Sequence, residues 1–186
     1  MSASLPSNYR VRLGSPLDRA RLLQFARRAY REIEPDRNGE TLPTTIDRYL
    51  SLTTPVWWIE TSGESDNPNA SHSDSAGLPH LRSSQTAIAC LWLGTATTPT
   101  DGELRAYILL IYVAPDHRRR GLASYLLDQA EAWAKQRGDH QIGLQVMAQN
   151  TAAIALYRKR GYTTISQWMS KPIEPIDQLE GLHTLG

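Results

Sequence analysis

The densest chemistry in the chain lies in His117-Arg118-Arg119-Arg120-Gly121-Leu122-Ala123, where three arginines and a glycine separate an apolar stretch from a helical pattern. Cations at a helix N-terminus oppose the dipole by roughly 0.3–1 kcal/mol each. A bound anion reverses that sign, because free backbone N–H groups, the dipole and the guanidiniums then act together. An anion site is the first expectation. The second basic run, Arg158-Lys159-Arg160, closes a helical pattern that Gly161 ends, where positive charge suits the dipole and no ligand is needed. Cys90 sits in an apolar strand pattern with no catalytic histidine motif, so burial is expected. His72 and His80 lack the spacing and the acidic or thiol partners of a metal site, and no metal is expected. Glu32, Glu34 and Asp36 cluster around Pro35, Asn38 and Gly39 and could attract a cationic substrate; a solvated loop is the simpler reading.

These residues need elements to hold them. Leu104–Val113 is apolar at both parities, the mark of a strand covered on both faces, and Pro115 ends it. After the arginines, Leu122, Leu126, Ala130 and Trp133 share one helical face, with Gly138 as the stop. Ile142–Val146 returns as a strand. A strand, a helix and a strand with this much connecting chain predict a right-handed parallel crossover. Asn150 is a good N-cap for a helix over Thr151–Arg160 that turns Ala153, Ile154 and Tyr157 to one side.

Upstream, Tyr9–Leu13 alternates as an opening strand, and Ser15 or Asp18 can cap a helix to about Ile33. Its arginines, Arg19, Arg21, Arg27, Arg28 and Arg31, read as a solvated face. Thr44 or Thr45 caps a short helix through about Leu52. Val56–Thr61 and Thr86–Thr95 are strands, with Trp57 and Trp58 on opposite faces. Strands through Val113 are close in sequence, hence antiparallel. Residues 62–85 turn to Ser, Asn, Asp, Gly, Pro and His, which predicts a flexible insertion. Tyr162–Lys171 is a final strand. The tail 172–186 carries Ile173, Ile176, Leu179, Leu182 and Leu185, which could dock on the body or on a partner, as in a homodimer.

With 186 residues, 21% charged and 40% hydrophobic, the chain suits one domain, 1–186, with a sizeable core. Its formal net charge of +1 argues against a whole-surface nucleic-acid footprint. One cysteine excludes an internal disulfide and fits a reducing compartment. The first ten residues carry no signal-like apolar core, and no apolar run approaches the roughly 20 residues that span a bilayer. A cytoplasmic protein without membrane contact is the expectation.

Arg118-x-x-Gly121-x-Ala123 gains specificity from its context, a long apolar strand before it, a helix after it, and a second strand–helix unit with Asn150, Ala153, Tyr157, Gly161 and Tyr162. That arrangement resembles the GNAT acetyltransferase superfamily in element order over about Tyr9–Lys171, and specifically over about Ala106–Tyr162. The resemblance implies an α/β (α+β mixed) fold, a central mostly antiparallel sheet with a splayed parallel strand pair, flanked by helices. It implies acetyl-CoA as cosubstrate and no metal. In that superfamily the turn binds the coenzyme pyrophosphate, so Arg118, Gly121 and Ala123 are carried over, with Arg119, Arg120, Leu122 and Ser124 in the same turn. Glycine lets phosphate approach the backbone, a small residue keeps the helix start open, and arginine adds charge-assisted bonds. Ile111, Tyr112 and Val113 fall where the strand pair should splay and bond the pantetheine arm as an added strand would. One N–H there would polarise the thioester carbonyl. Asn150 matches a coenzyme contact, and an N-cap role explains it equally well. Tyr157 matches the tyrosine near the thioester sulfur, where a phenol of pKa about 10 can protonate a departing thiolate.

The implied reaction is direct transfer to a neutral primary amine on a small molecule, peptide or protein, with no covalent enzyme intermediate. Many relatives carry a carboxylate inside the central strand; Leu109 and Leu110 occupy the comparable positions here. Glu103 and Glu60 are replacement candidates for the base, Tyr107 and His117 weaker ones, and none is assigned. The missing carboxylate supports a second reading, a non-catalytic CoA-binding sensor or scaffold. Nucleic-acid binding through His117–Arg120 is disfavoured by the near-neutral charge and the absence of interleaved aromatics.

Overall fold

Residues 4–35, 39–62, 86–98 and 101–173 are described in the computed structural model. Residues 63–85 of the expected insertion at 62–85 and residues 174–186 of the expected tail at 172–186 lie outside them, His72 and His80 included, as does Asp36 of the acidic cluster. The elements are β1 (Tyr9–Leu13), α1 (Arg19–Ile33), α2 (Leu42–Tyr49), β2 (Val56–Thr61), β3 (Ala87–Thr97), β4 (Leu104–Val113), α3 (Leu122–Gln136), β5 (Ile142–Leu144) and α4 (Thr151–Lys159). The chain divides into two compact units, Met1–Thr151 and Ala152–Gly186. The sheet and the first three helices belong to the first unit, and α4 beyond its first residue to the second.

The sheet runs in the order β1-β2-β3-β4-β5. Its first four strands pair antiparallel, and β5 joins β4 in parallel through the α3 crossover, as the sequence predicts. Residues Ala87–Gly94 of β3 are all buried, because helices cover both faces. On one face α1 and α2 set Leu22, Phe25, Ala26, Leu42 and Ile46 against Val56, Trp58, Cys90, Trp92 and Tyr112. The intervening strand residues face the other way, where α3 packs Leu122, Leu126, Leu127 and Ala130 against β3, β4 and β5.

The local signals acted close to where they stand in the sequence. Ser15 Oγ accepts from the Leu17 N–H and Asp18 accepts from the Ser15 N–H, a capping box on the single 3-10 turn that leads into α1. Helix α2 begins at Leu42, ahead of Thr44 and Thr45, because Pro43 is tolerated in a first turn. Gly138 (φ +83°) ends α3, and the Asp139 N–H reaches back to the Ala134 carbonyl at 3.0 Å.

Other expectations need correction, among them the solvated acidic loop, since Glu32 lies on α1 and is held by Tyr112 and Arg118. Arg19 and Arg21 are not merely solvated: Arg19 pairs with Asp47 of α2 at 2.7 Å, and Arg21 pairs with Glu60 at 3.3 Å while lying over the Trp58 ring. Strand β5 stops at Leu144, two residues before Val146. Tyr162–Lys171 forms no strand. The described residues from Thr163 to Lys171 join no sheet ladder, and Ile165, Trp168 and Met169 stand largely exposed. A strand exists only by pairing.

Candidate functional site

The open edge of β4 follows from the register. The Ala114 N–H bonds the Ile88 carbonyl at 2.8 Å, and the antiparallel alternation then makes Tyr112/Cys90 a bonded pair too. The N–H and C=O groups of Ile111 and Val113 therefore point away from β3, whereas those of Tyr112 turn toward it. On that far edge β5 pairs only with Ala106, Tyr107 and Ile108, so no strand lies beside Ile111 among the described residues. Among the described residues the β4 edge is therefore open at Ile111, where an extended ligand could add itself.

A bulge sits at the branch point. Trp92 pairs with Leu110 and Leu93 with Ile108, which leaves Leu109 as an extra residue in β4. The bulge puts consecutive side chains on one face, and both Leu109 and Leu110 pack against the α1–α2 core. Gly94 makes room for it: a Cβ there would stand 2.7 Å from Leu109 Cδ1.

Beyond β4, a 3-10 turn over Pro115–His117 leads into the arginines. Arg119 (φ +62°) and Gly121 (φ +81°) both take left-handed conformations, and α3 starts at Leu122 without a side-chain cap. The first intrahelical bond runs from the Tyr125 N–H to the Gly121 carbonyl, leaving the N–H groups of Leu122, Ala123 and Ser124 without acceptors among the described residues. A Cβ at Gly121 would meet nothing within 4 Å among the described residues, so the glycine is needed for its φ and the space beside it is open to them. Convergent N–H groups, a helix dipole and a left-handed turn make a cradle of anion-binding type.

Two of the arginines are already engaged. Arg118 Nε donates to the Val113 carbonyl at 2.9 Å, Nη2 pairs with Glu32, and the guanidinium lies over the Tyr112 ring. Glu32 also accepts from the Tyr112 hydroxyl at 2.8 Å, and burial, then this hydrogen bond, push the Tyr112 phenol up to about 12. Arg120 donates to the Tyr9 hydroxyl at 2.8 Å and to the Asp116 carbonyl at 3.0 Å. Arg119 is exposed and makes no hydrogen bond or ion pair among the described residues.

Asn150 directly precedes α4, and its N–H donates to the Met147 carbonyl at 2.9 Å. Tyr157, on α4, is buried, with its ring 5.7 Å from that of Tyr162; burial pushes its phenol up to about 12. Ile111–Val113 and Arg118–Ser124 thus lie in sequence along one strand end and turn, while Tyr157 belongs to the second unit.

The base candidates fare differently. Glu60 is 3% exposed and its oxygens are held by Arg10 at 2.8 Å, Arg12 at 3.1 Å and Arg21 at 3.3 Å, which makes it a structural anion. Glu103 precedes β4 at the end opposite Ile111, eight residues away and so about 26 Å along a strand. His117 Nδ1 is taken by the Tyr9 hydroxyl at 2.9 Å. Tyr107 pairs with Gly143, and burial, then nearby Tyr30, raises its pKa. Cys90 is fully buried and its thiol is pushed up by desolvation. Among the described residues no group of three His, Cys, Asp or Glu could hold a metal ion, and no helix is long and apolar enough to cross a membrane.

Comparison with known proteins bears on the same region. The model of the acetyltransferase (GNAT) family matches residues 43–162. An uncharacterized N-acetyltransferase, YobR of Bacillus subtilis, is 40% identical over 57 residues, 31% of this chain and 23% of that protein. An aminoglycoside N(6')-acetyltransferase type 1 of Acinetobacter haemolyticus is 34% identical over 83 residues, 44% of this chain and 54% of that protein. The chain thus spans from about a quarter to about half the length of these relatives. A Clostridium acetobutylicum structure, described as a predicted acetyltransferase with acetyl-CoA, shares the fold at TM-score 0.63 and 20% identity, over 88% of this chain and 96% of that one. The open strand edge, the turn after it and the family match over residues 43–162 lead to one conclusion: the chain belongs to the acetyltransferase (GNAT) family.

Proposed function

We propose that this chain is one N-acetyltransferase domain over 1–186 that moves an acetyl group from acetyl-CoA to a primary amine by direct attack. The observation that carries the proposal is the unoccupied row of backbone donors at Leu122–Ser124 beside left-handed Gly121, continuous with the free β4 edge. A diphosphate fits that cradle by charge, by donor count and by the open space beside Gly121. Acetyl-CoA supplies the activated thioester. The segment Ile111–Val113 then receives the pantetheine arm through the groups of Ile111, the turn Arg118–Ser124 holds the diphosphate, and Asn150 adds a further contact.

On this reading the amine nitrogen bonds to the acetyl carbon, the carbon–sulfur bond breaks, and the amine's surplus proton leaves to solvent or to the sulfur. Tyr157 donates a hydrogen bond to the departing sulfur. At about 12 its phenol is a weaker acid than a thiol near 8.5, so complete transfer to sulfur would run uphill by about 5 kcal/mol. A donated hydrogen bond to charge, worth about 1.5–3 kcal/mol, is the role that fits.

The acceptor class is a primary amine on a small molecule, peptide or protein. Aminoglycosides are a starting point, because one relative is named for them. The bulge residues Leu109 and Leu110 favour one alternative, a CoA-binding sensor, since neither can act as a base. Thiol release from acetyl-CoA with a panel of aminoglycosides, polyamines and peptides separates the two. Release with at least one amine supports the enzyme; coenzyme binding without release from any amine favours the sensor. Buried Cys90 keeps the protein's own thiol background low.

A further inference from the structure

The three arginines at the turn are consecutive in sequence but not equivalent in the fold. Arg118 is tied on two sides, to the last carbonyl of β4 through Val113 and to the end of α1 through Glu32, which the Tyr112 hydroxyl holds in turn. Arg120 is tied to β1 through the Tyr9 hydroxyl and to the 3-10 turn through the Asp116 carbonyl. Tyr9 is 5% exposed and its ring meets His117 edge-on at 5.7 Å. Its hydroxyl accepts from Arg120 and hydrogen-bonds His117 Nδ1 at 2.9 Å, which ties β1, the 3-10 turn and Arg120 together. Between these two tethered residues stands Arg119, exposed, without a hydrogen bond or ion pair among the described residues, and with a left-handed backbone that L residues avoid. Such a conformation persists only where its surroundings hold it.

We propose that the arginines divide the work: Arg118 and Arg120 brace the turn, Arg119 is the side chain that meets the coenzyme diphosphate, and Tyr9 and Glu32 are the positioning residues behind the braces. This rests on the coenzyme reading above. It explains why three cations are tolerated at a helix start. Arg118 is matched by Glu32, Arg120 is spent on the neutral acceptors of Tyr9 and Asp116, and only Arg119 waits for an external anion.

The test is calorimetric titration of the whole protein with coenzyme A and with pantetheine, at low and high salt, alongside steady-state kinetics. Arg119→Gln should weaken coenzyme A about 10-fold, as expected for losing one charge-assisted contact, and flatten its salt dependence. Pantetheine, which lacks the diphosphate, should bind as before. Tyr9→Phe keeps the buried ring and every charge. It should weaken coenzyme A about 3- to 5-fold, raise the KM for acetyl-CoA with kcat retained, and leave the salt dependence unchanged. A silent Arg119→Gln, or an Arg118→Gln or Arg120→Gln variant that flattens the salt dependence as much as Arg119→Gln, overturns the division. A Tyr9→Phe variant that loses pantetheine equally overturns the positioning role. Wild-type protein that binds neither ligand contradicts the coenzyme reading instead.

Discussion

Gly121→Ala isolates what the backbone contributes to the cradle. Gly121 (φ +81°) and Gly138 (φ +83°) flank the same helix, and at both positions a Cβ would meet nothing within 4 Å among the described residues. Neither substitution adds a clash, so each costs only the left-handed strain of an L residue, roughly 1–2 kcal/mol. For a chain of this size that corresponds to about 2–8 °C in Tm. The two sites part company in function. If the Gly121→Ala variant keeps the turn, stability carries the whole loss; if the turn relaxes, the N–H groups of Leu122–Ser124 swing out of line and coenzyme binding must restore them. Between them, stability and affinity should lose that same 1–2 kcal/mol, so the Kd for acetyl-CoA rises by up to about 5- to 30-fold. Gly138→Ala should lower Tm comparably with an unchanged Kd. Thermal melts and calorimetric titration of both variants provide the measurement. Equal affinity losses in the two, or a Gly121→Ala protein unchanged in both Tm and Kd, would refute the reasoning.

Tyr157→Phe should lower kcat about 10- to 100-fold, the worth of one hydrogen bond to developing charge, with little change in KM for acetyl-CoA; unchanged turnover removes the role. Because burial raises the Tyr157 phenol to about 12 from about 10 when unfolded, its neutral form is favoured by folding. That contribution is complete below pH 10 and fades as pH climbs toward 12, so phenolate absorbance from Tyr157, read against the Phe variant, should appear only above about pH 11. Glu60→Gln should destabilise by about 1–3 kcal/mol, less than a fully buried pair because Arg10, Arg12 and Arg21 stay partly hydrated, while kcat is retained. Lost turnover with intact stability would return Glu60 to the list of bases. Cys90 should resist alkylation in the native protein and react fully in denaturant.

Much of this was legible in the sequence because the signals were local. The apolar run Leu104–Val113, the misplaced arginines and the Gly138 stop each act within one turn of where they stand, and the α3 crossover follows from connection length. What escaped the sequence depends on pairs far apart in the chain. Tyr9 and Glu32 reach the turn across 111 and 86 residues, and Arg10, Arg12 and Arg21 converge on Glu60 from two elements. The Leu109 bulge had one available signal, Gly94 alone inside an otherwise apolar strand, which often marks a close approach of another chain segment. The expected strand at Tyr162–Lys171 failed for the converse reason: propensity favours a strand but does not supply its partner.

The coenzyme site is tested most directly by the melting temperature of the protein with and without acetyl-CoA. At about 100 times its Kd the ligand adds roughly 2.7 kcal/mol, which for this chain length predicts a rise of about 5–11 °C. No rise at millimolar acetyl-CoA would contradict the account.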